Sequence, residues 1–122
     1  MPLILVIDDD PQIREVLKKL LETSGYDVVA AADGGEGVKL FYEKSPDLII
    51  TDIIMPEKEG IEIIRDLKKK NPEIKIIAMS GGGKYVDSDM CLTVAKKLGA
   101  KYVFSKPVKK KELIEAIREL LS

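Results

Sequence analysis

Acidic side chains stand out among the residues of this 122-residue chain that could do chemistry. Asp8, Asp9 and Asp10 are consecutive, and Asp52 follows an apolar stretch at positions 48–51. Carboxylate oxygens are hard ligands that suit Mg²⁺, and carboxylates brought together repel one another unless a cation lies between them. The chain has no histidine, the commonest metal ligand and general base, so its chemistry must rest mainly on carboxylates, hydroxyls and lysine. We therefore predict that Asp8, Asp9 and Asp52 bind Mg²⁺.

Lys106 and Ser80 extend this predicted site. With no histidine available, the natural nucleophile is Asp52, which could attack a phosphoryl group whose oxygens are neutralised by Mg²⁺ and Lys106. The Ser80 hydroxyl could donate a hydrogen bond to the same group. Each residue also has an ordinary interpretation, as a helix cap, a surface lysine or a turn hydroxyl. Helix capping alone would leave Asp52 without a role. The combination of these acidic residues with Lys106 and Ser80, rather than any one residue, indicates function.

The rest of the sequence predicts the elements that bring these residues together. Apolar runs without alternation, which are typical of parallel strands covered on both faces, lie at 3–7, 27–31, 47–51, 74–79 and 101–104. Amphipathic stretches at 11–23, 35–44, 59–70, 86–98 and 109–121 predict helices, the first with Asp10 as N-cap and Pro11 in its first turn. Five such units predict an α/β doubly wound parallel sheet, in which ligands bind at the carboxyl ends of the strands. Every predicted site residue follows a strand.

Composition excludes several classes of protein. A single cysteine excludes a disulfide scaffold, and no apolar run is long enough to span a bilayer. The N-terminus lacks the basic flank and the cleavage site of a signal peptide. The net charge of −1 gives no electrostatic footprint for nucleic acid, although residues 1–56 carry net −6 and residues 57–122 net +5. We expect one cytoplasmic domain over residues 1–122, without an output domain and without membrane or nucleic-acid partners.

Four segments carry a family resemblance: LVIDDDPQIREVL, PDLIITDIIMPEKEG, IIAMSG and GAKYVFSKPV. Together they resemble the receiver domain of bacterial two-component response regulators over nearly the whole chain. The resemblance implies a flavodoxin-like sheet of five parallel strands, ordered 2-1-3-4-5, with five helices. It implies that Asp52 accepts a phosphoryl group from a sensor histidine kinase or a phosphotransfer protein. It also implies that Asp9 and Asp52 bind Mg²⁺ directly, that Asp8 acts mostly through water, and that the Ile54 backbone carbonyl is a further ligand.

The same resemblance implies that Ser80 is the family's switch hydroxyl and Lys106 its lysine. It implies a signalling phosphoacceptor that catalyses only its own phosphorylation and dephosphorylation, as a monomer or weak homodimer, and that signals by changing its partner-binding surface. The kinase and the target stay open. One departure is Val103, which stands at the position of the family's switch aromatic, while Tyr102 and Phe104 flank it and point to other faces.

Two other classes of α/β protein provide alternatives. A Mg²⁺-dependent phosphatase of the haloacid-dehalogenase type also uses an aspartate nucleophile, but it needs a second acid two residues later, where this chain has Ile54. A flavodoxin needs a phosphate-binding loop after the first strand, and the Asp-rich loop found here would repel phosphate.

Overall fold

Five parallel strands form one sheet in the computed structural model, which describes residues 2–53, 60–80, 96, 97, 99–105 and 108–122. The strand order is β2-β1-β3-β4-β5, which confirms the predicted doubly wound, flavodoxin-like arrangement. The strands are β1 (Leu3–Ile7), β2 (Asp27–Ala31), β3 (Leu48–Asp52), β4 (Lys75–Ser80) and β5 (Tyr102–Ser105).

Four helices lie within the described residues: α1 (Pro11–Thr23), α2 (Gly34–Lys44), α3 (Gly60–Lys70) and α4 (Lys110–Leu121). The helix predicted over 86–98 lies outside the described residues except at positions 96 and 97, which are helical. The last three strands begin one residue later than predicted. At β4 the reason is a turn, because the Ile74 amide donates to the Asn71 carbonyl at 3.0 Å and leaves Lys75 to start the strand.

Local side-chain chemistry fixes where the first two helices begin. Asp10 is the N-cap of α1, as predicted: its carboxylate accepts from the Gln12 amide at 2.9 Å, and Pro11 occupies the first turn. Asp33 caps α2 in the same way, accepting from the Glu36 amide at 2.8 Å. The Glu36 carboxylate reaches back to the Ala32 amide at 3.0 Å. These caps set the loops that follow β1 and β2.

The sheet buries apolar side chains on both faces, which explains why its strands lack alternation. Along β1, Ile4 and Val6 pack on the α1 and α4 side, whereas Leu5 and Ile7 pack on the α2 and α3 side. The inner strands β1 and β3 are buried almost throughout, whereas β2 at the sheet edge is half-buried. Two cores thus hold the central strands rigidly, and the ends of those strands carry the predicted site residues.

Candidate functional site

The register of the central strands brings three aspartates together. Ile7 at the end of β1 lies opposite Thr51 in β3, so the next residues along the two strands, Asp8 and Asp52, are neighbours at the carboxyl edge of the sheet. Carboxylate oxygens of Asp8, Asp9 and Asp52 all lie within 4.8 Å of one another. Asp8 is fully buried, Asp52 is only 4% exposed, and Asp9 is exposed. The predicted acidic cluster therefore exists in the fold, with one member open to solvent.

Hydrogen bonds fix the loop that carries Asp8 and Asp9. The Asp8 amide donates to the Ala31 carbonyl of β2 at 3.1 Å, which extends the strand pairing by one step. The Asp8 carboxylate accepts from the Asp10 amide at 2.9 Å, closing a tight turn over Asp9. This turn directs the chain from the buried strand to the helix cap at Asp10 and leaves Asp9 at the surface.

Arg14 forms a contact to this loop that the sequence analysis did not predict. From the first turns of α1, its guanidinium donates to the Asp8 backbone carbonyl at 2.8 Å. The contact ties the helix to the acidic loop and places a permanent positive charge near the aspartates. The segment PQIREVL indicated an amphipathic helix, but helical periodicity does not show that a polar side chain folds back over the N-terminus.

The backbone around Asp52 is held by β4 and by the preceding residue of β3. It is the last residue of β3 and lies opposite Met79 in β4, whose carbonyl accepts from the Ile53 amide at 2.9 Å. The buried Thr51 hydroxyl donates to the Asp52 carbonyl at 3.0 Å. The backbone of Asp52 is therefore fixed at the carboxyl edge of the sheet.

The remaining predicted site residues are placed only in part. Ser80 ends β4, the second strand from β1, and its backbone pairs with Ser105 of β5. The side chain of Ser80 lies outside the described residues. Lys106 directly follows β5 in sequence, and both Lys106 and Ile54 lie outside the described residues. Asp8 and Asp52 each have a further interaction beyond the bonds given above.

The side chains of Tyr102, Val103 and Phe104 in β5 point alternately to the two faces of the sheet, as predicted. Val103 packs in the core on the α2 and α3 side, whereas Tyr102 and Phe104 pack on the α1 and α4 side. The two rings are stacked, with centroids 6.2 Å apart and planes 3° apart. A hydrogen bond from the Tyr102 hydroxyl to Glu119 of α4 raises the pKa of Tyr102, and burial and the glutamate charge add to the effect.

The donor set at the carboxyl edge fits a hard divalent cation. It consists of carboxylate oxygens from two adjacent strands, and such oxygens are the ligands that Mg²⁺ prefers, with water completing the coordination. None of the helices in the described ranges is long and apolar enough to cross a membrane.

Comparison with known proteins agrees with the fold. Residues 4–118 match the model of the response regulator receiver domain family. A receiver domain protein from Clostridium thermocellum is 36% identical, with a TM-score of 0.90 over 99% of this chain and 94% of its own. A CheY-like receiver domain protein from Methanospirillum hungatei is 33% identical, with a TM-score of 0.90 over 99% of this chain and 94% of its own.

A third structure is the response regulator TrrA from Thermotoga maritima in complex with Mg²⁺ and BeF. It is 35% identical, with a TM-score of 0.83, and the match covers 98% of this chain and 99% of that one. The family match spans nearly the whole chain, and the observed strand order is the one that this resemblance implied. The chain belongs to the response regulator receiver domain family of two-component systems.

Proposed function

We propose that this receiver domain accepts a phosphoryl group on Asp52 from a sensor histidine kinase or a phosphotransfer protein, in a Mg²⁺-dependent reaction. The observation that carries the proposal is the cluster of Asp8, Asp9 and Asp52 at the carboxyl edge of a receiver-type sheet. The Mg²⁺ and BeF bound by the Thermotoga relative support a metal and a phosphoryl-like group at such a site.

The chemical step is a transfer between two nucleophiles. A carboxylate oxygen of Asp52 forms a bond to phosphorus while the bond from phosphorus to the phosphohistidine nitrogen breaks, which gives an acyl phosphate and a neutral imidazole. The fixed end of β3 orients the attacking oxygen. Mg²⁺, when held by Asp8, Asp9 and Asp52, would neutralise charge on the transferred oxygens. Asp9 and Asp52 would bind it directly, Asp8 mostly through water, and the Ile54 carbonyl would add a ligand.

Lys106 and Ser80 have supporting roles in this proposal. Lys106 follows β5 and would pair with an oxygen of the phosphoryl group, while Ser80 ends β4 and its hydroxyl would donate to another. The output would be a change in the surface presented to a target protein, and the chain would act on no other substrate. The phosphatase of the haloacid-dehalogenase type is not favoured, because the family match places the chain among receivers and position 54 holds an isoleucine.

Intact mass spectrometry tests the proposal. Acetyl phosphate with Mg²⁺ should add one phosphoryl group to the wild-type chain and none when a chelator replaces the metal. Asp52→Asn should add none, because an amide is not a nucleophile towards phosphorus.

Asp27→Asn is the matched control, since Asp27 is an exposed aspartate at the amino end of β2, away from the cluster. It should label like wild type. Equal labelling of Asp52→Asn and wild type would show that Asp52 is not the acceptor.

A further inference from the structure

Tyr42 is an aromatic side chain that neither the core nor the proposed site uses. It is 56% exposed, and only Val16 among the other large hydrophobic residues of the described part is comparably exposed. Its ring contacts Phe41 edge to face, with centroids 5.4 Å apart and planes 82° apart. Isolated exposed apolar residues are common on proteins, so the surroundings of Tyr42 decide what this exposure means.

Tyr42 lies in a groove between α2 and α3. Two cavities of about 470 and 480 Å³ lie there, and Tyr42 and Lys70 line both of them. Val38 and Leu67 line one cavity and Pro46 lines the other. Val38 and Tyr42 are four residues apart on α2 and so share one helix face. This groove, which we call the α2–α3 groove, is therefore concave and partly apolar, with an aromatic ring at its centre.

The rim of the α2–α3 groove is positively charged. Lys69 and Lys70 in the last turn of α3 are exposed. An ion pair joins Lys39 and Glu43 on α2, with their charged atoms 4.0 Å apart, so the glutamate next to Tyr42 in sequence already has a lysine partner. Asp66, which also lines the groove, has an interaction of its own. Lysines in the last turn of a helix interact favourably with the helix dipole, and their exposed ammonium groups can still bind an anionic partner.

We propose that the α2–α3 groove binds an acidic segment of a partner protein, with an aromatic or apolar side chain of that segment against Tyr42 and carboxylates beside Lys69 and Lys70. Tyrosine is among the residues that most often anchor protein interfaces, and lysine charges at a rim steer an oppositely charged partner. The concave shape suits a peptide better than a flat membrane. Only Tyr42 of the two aromatic residues that line the groove is exposed, since Phe41 is buried. One exposed ring and a net charge of −1 provide neither the stacking platform nor the overall charge that nucleic acid requires.

The groove lies at the opposite end of the sheet from Asp52, and we therefore expect binding that does not depend on phosphorylation. The strands end at the carboxyl edge, where Asp52 lies, and α2 and α3 run back towards the opposite edge, at which they end in Lys44 and Lys70. An acidic segment bound beside Lys70 is therefore remote from the acidic cluster. This inference goes beyond the proposed phosphoacceptor function, because it concerns a second surface that lies away from Asp52.

Titration of the unphosphorylated full chain with a glutamate-rich peptide that carries one central tyrosine tests the proposal. Amide chemical shifts should move in residues 38–46 and 66–71. The double variant Lys69→Glu/Lys70→Glu should weaken binding about tenfold. Lys18→Glu/Lys19→Glu, an equal charge change at two exposed lysines of α1, should weaken it less than twofold. Replacing the tyrosine of the peptide by alanine should weaken binding to wild type and not to Tyr42→Ala.

Every other outcome overturns the proposal. Equal losses in the two double variants would show general charge attraction, and shifts centred on another face would show a different site. Tighter binding of oligo-dT or of vesicles containing phosphatidylserine would assign the surface to nucleic acid or to lipid. The affinity should be unchanged by Mg²⁺ and beryllofluoride, and that comparison leaves the phosphoacceptor proposal to its own test.

Discussion

Removing the charge of Asp52 should stabilise the metal-free protein. Its carboxylate oxygens lie within 4.8 Å of those of Asp8 and Asp9, and it is 4% exposed. Two unit charges at 4.8 Å repel by about 0.9 kcal/mol in bulk water and about 3.5 kcal/mol at an effective dielectric constant of 20. Asp52→Asn relieves two such repulsions and also changes the further interaction that Asp52 makes. Because Asp9 is exposed and the substitution also weakens the further interaction of Asp52, the net effect should lie near the bulk-water value of about 1.7 kcal/mol for two repulsions. We therefore expect a net gain of about 2 kcal/mol in the free energy of unfolding.

Mg²⁺ should reduce this difference. A ligand that binds only the folded state stabilises it by about 2.7 kcal/mol when the free ligand concentration is a hundred times the dissociation constant. Wild type, which has three carboxylates in the cluster, should bind Mg²⁺ more tightly than Asp52→Asn, which has two. Urea unfolding of both proteins, with chelator and with saturating Mg²⁺, measures the two differences. Asp27→Asn should stay within about 0.5 kcal/mol of wild type in both conditions. If Asp52→Asn were less stable than wild type with chelator while Asp27→Asn stayed neutral, the repulsion argument would be refuted.

Three further predictions concern packing, titration and metal binding. A Cβ on Gly37 would lie 2.5 Å from Cδ1 of the buried Ile7, so Gly37→Ala should lower the free energy of unfolding by about 1 kcal/mol even after the gain in helix propensity. Gly35 is exposed, so Gly35→Ala should raise the free energy of unfolding. Urea unfolding in which both variants are more stable than wild type would contradict this prediction. Glu119→Gln should lower the pKa of Tyr102 towards its ordinary value near 10, as measured by ring NMR shifts against pH. Because the pKa of Tyr102 is raised in the folded state, the stability that its hydrogen bond contributes is present below the ordinary pKa of tyrosine. This stability is lost as the pH rises through the pKa of Tyr102 in the folded state, and Glu119→Gln should lose less stability over that range. Asp9→Ala should weaken Mg²⁺ binding more than Asp8→Ala does, as calorimetric titration would measure. Both substitutions relieve the same kind of repulsion, but only Asp8→Ala loses the bond to the Asp10 amide, so urea unfolding should show Asp8→Ala as the less stable variant. The reverse pattern would exchange the roles of the two residues.

Sequence pattern predicted most of the fold because the relevant signals are local. The apolar run 3–7 has neither alternation nor charge, and it forms the buried β1. Asp10 before Pro11 predicted the start of α1 to the residue. The convergence of Asp8 and Asp52 followed from the rule that parallel strands end at one edge of the sheet, and the register Ile7 to Thr51 provides it.

Contacts between distant side chains could not be predicted in the same way. The bond from the Arg14 guanidinium to the Asp8 carbonyl depends on a rotamer, and the bond from Tyr102 to Glu119 depends on how α4 packs on the sheet. Tyr42 occupies a helix position that periodicity alone does not distinguish from core positions, and its exposure is set by the spacing of α2 and α3. Periodicity identifies a face of a helix, whereas these features need the distance between elements.

Direct location of the phosphoryl group is the sharpest test of Asp52 as the phosphoacceptor. The protein is treated with acetyl phosphate and Mg²⁺, reduced with borohydride, which converts an aspartyl phosphate to homoserine, and digested for peptide mass mapping. We expect one homoserine, at position 52, in wild type and in Asp27→Asn. Homoserine at position 8 or 9, or reduction spread over several aspartates, would contradict it.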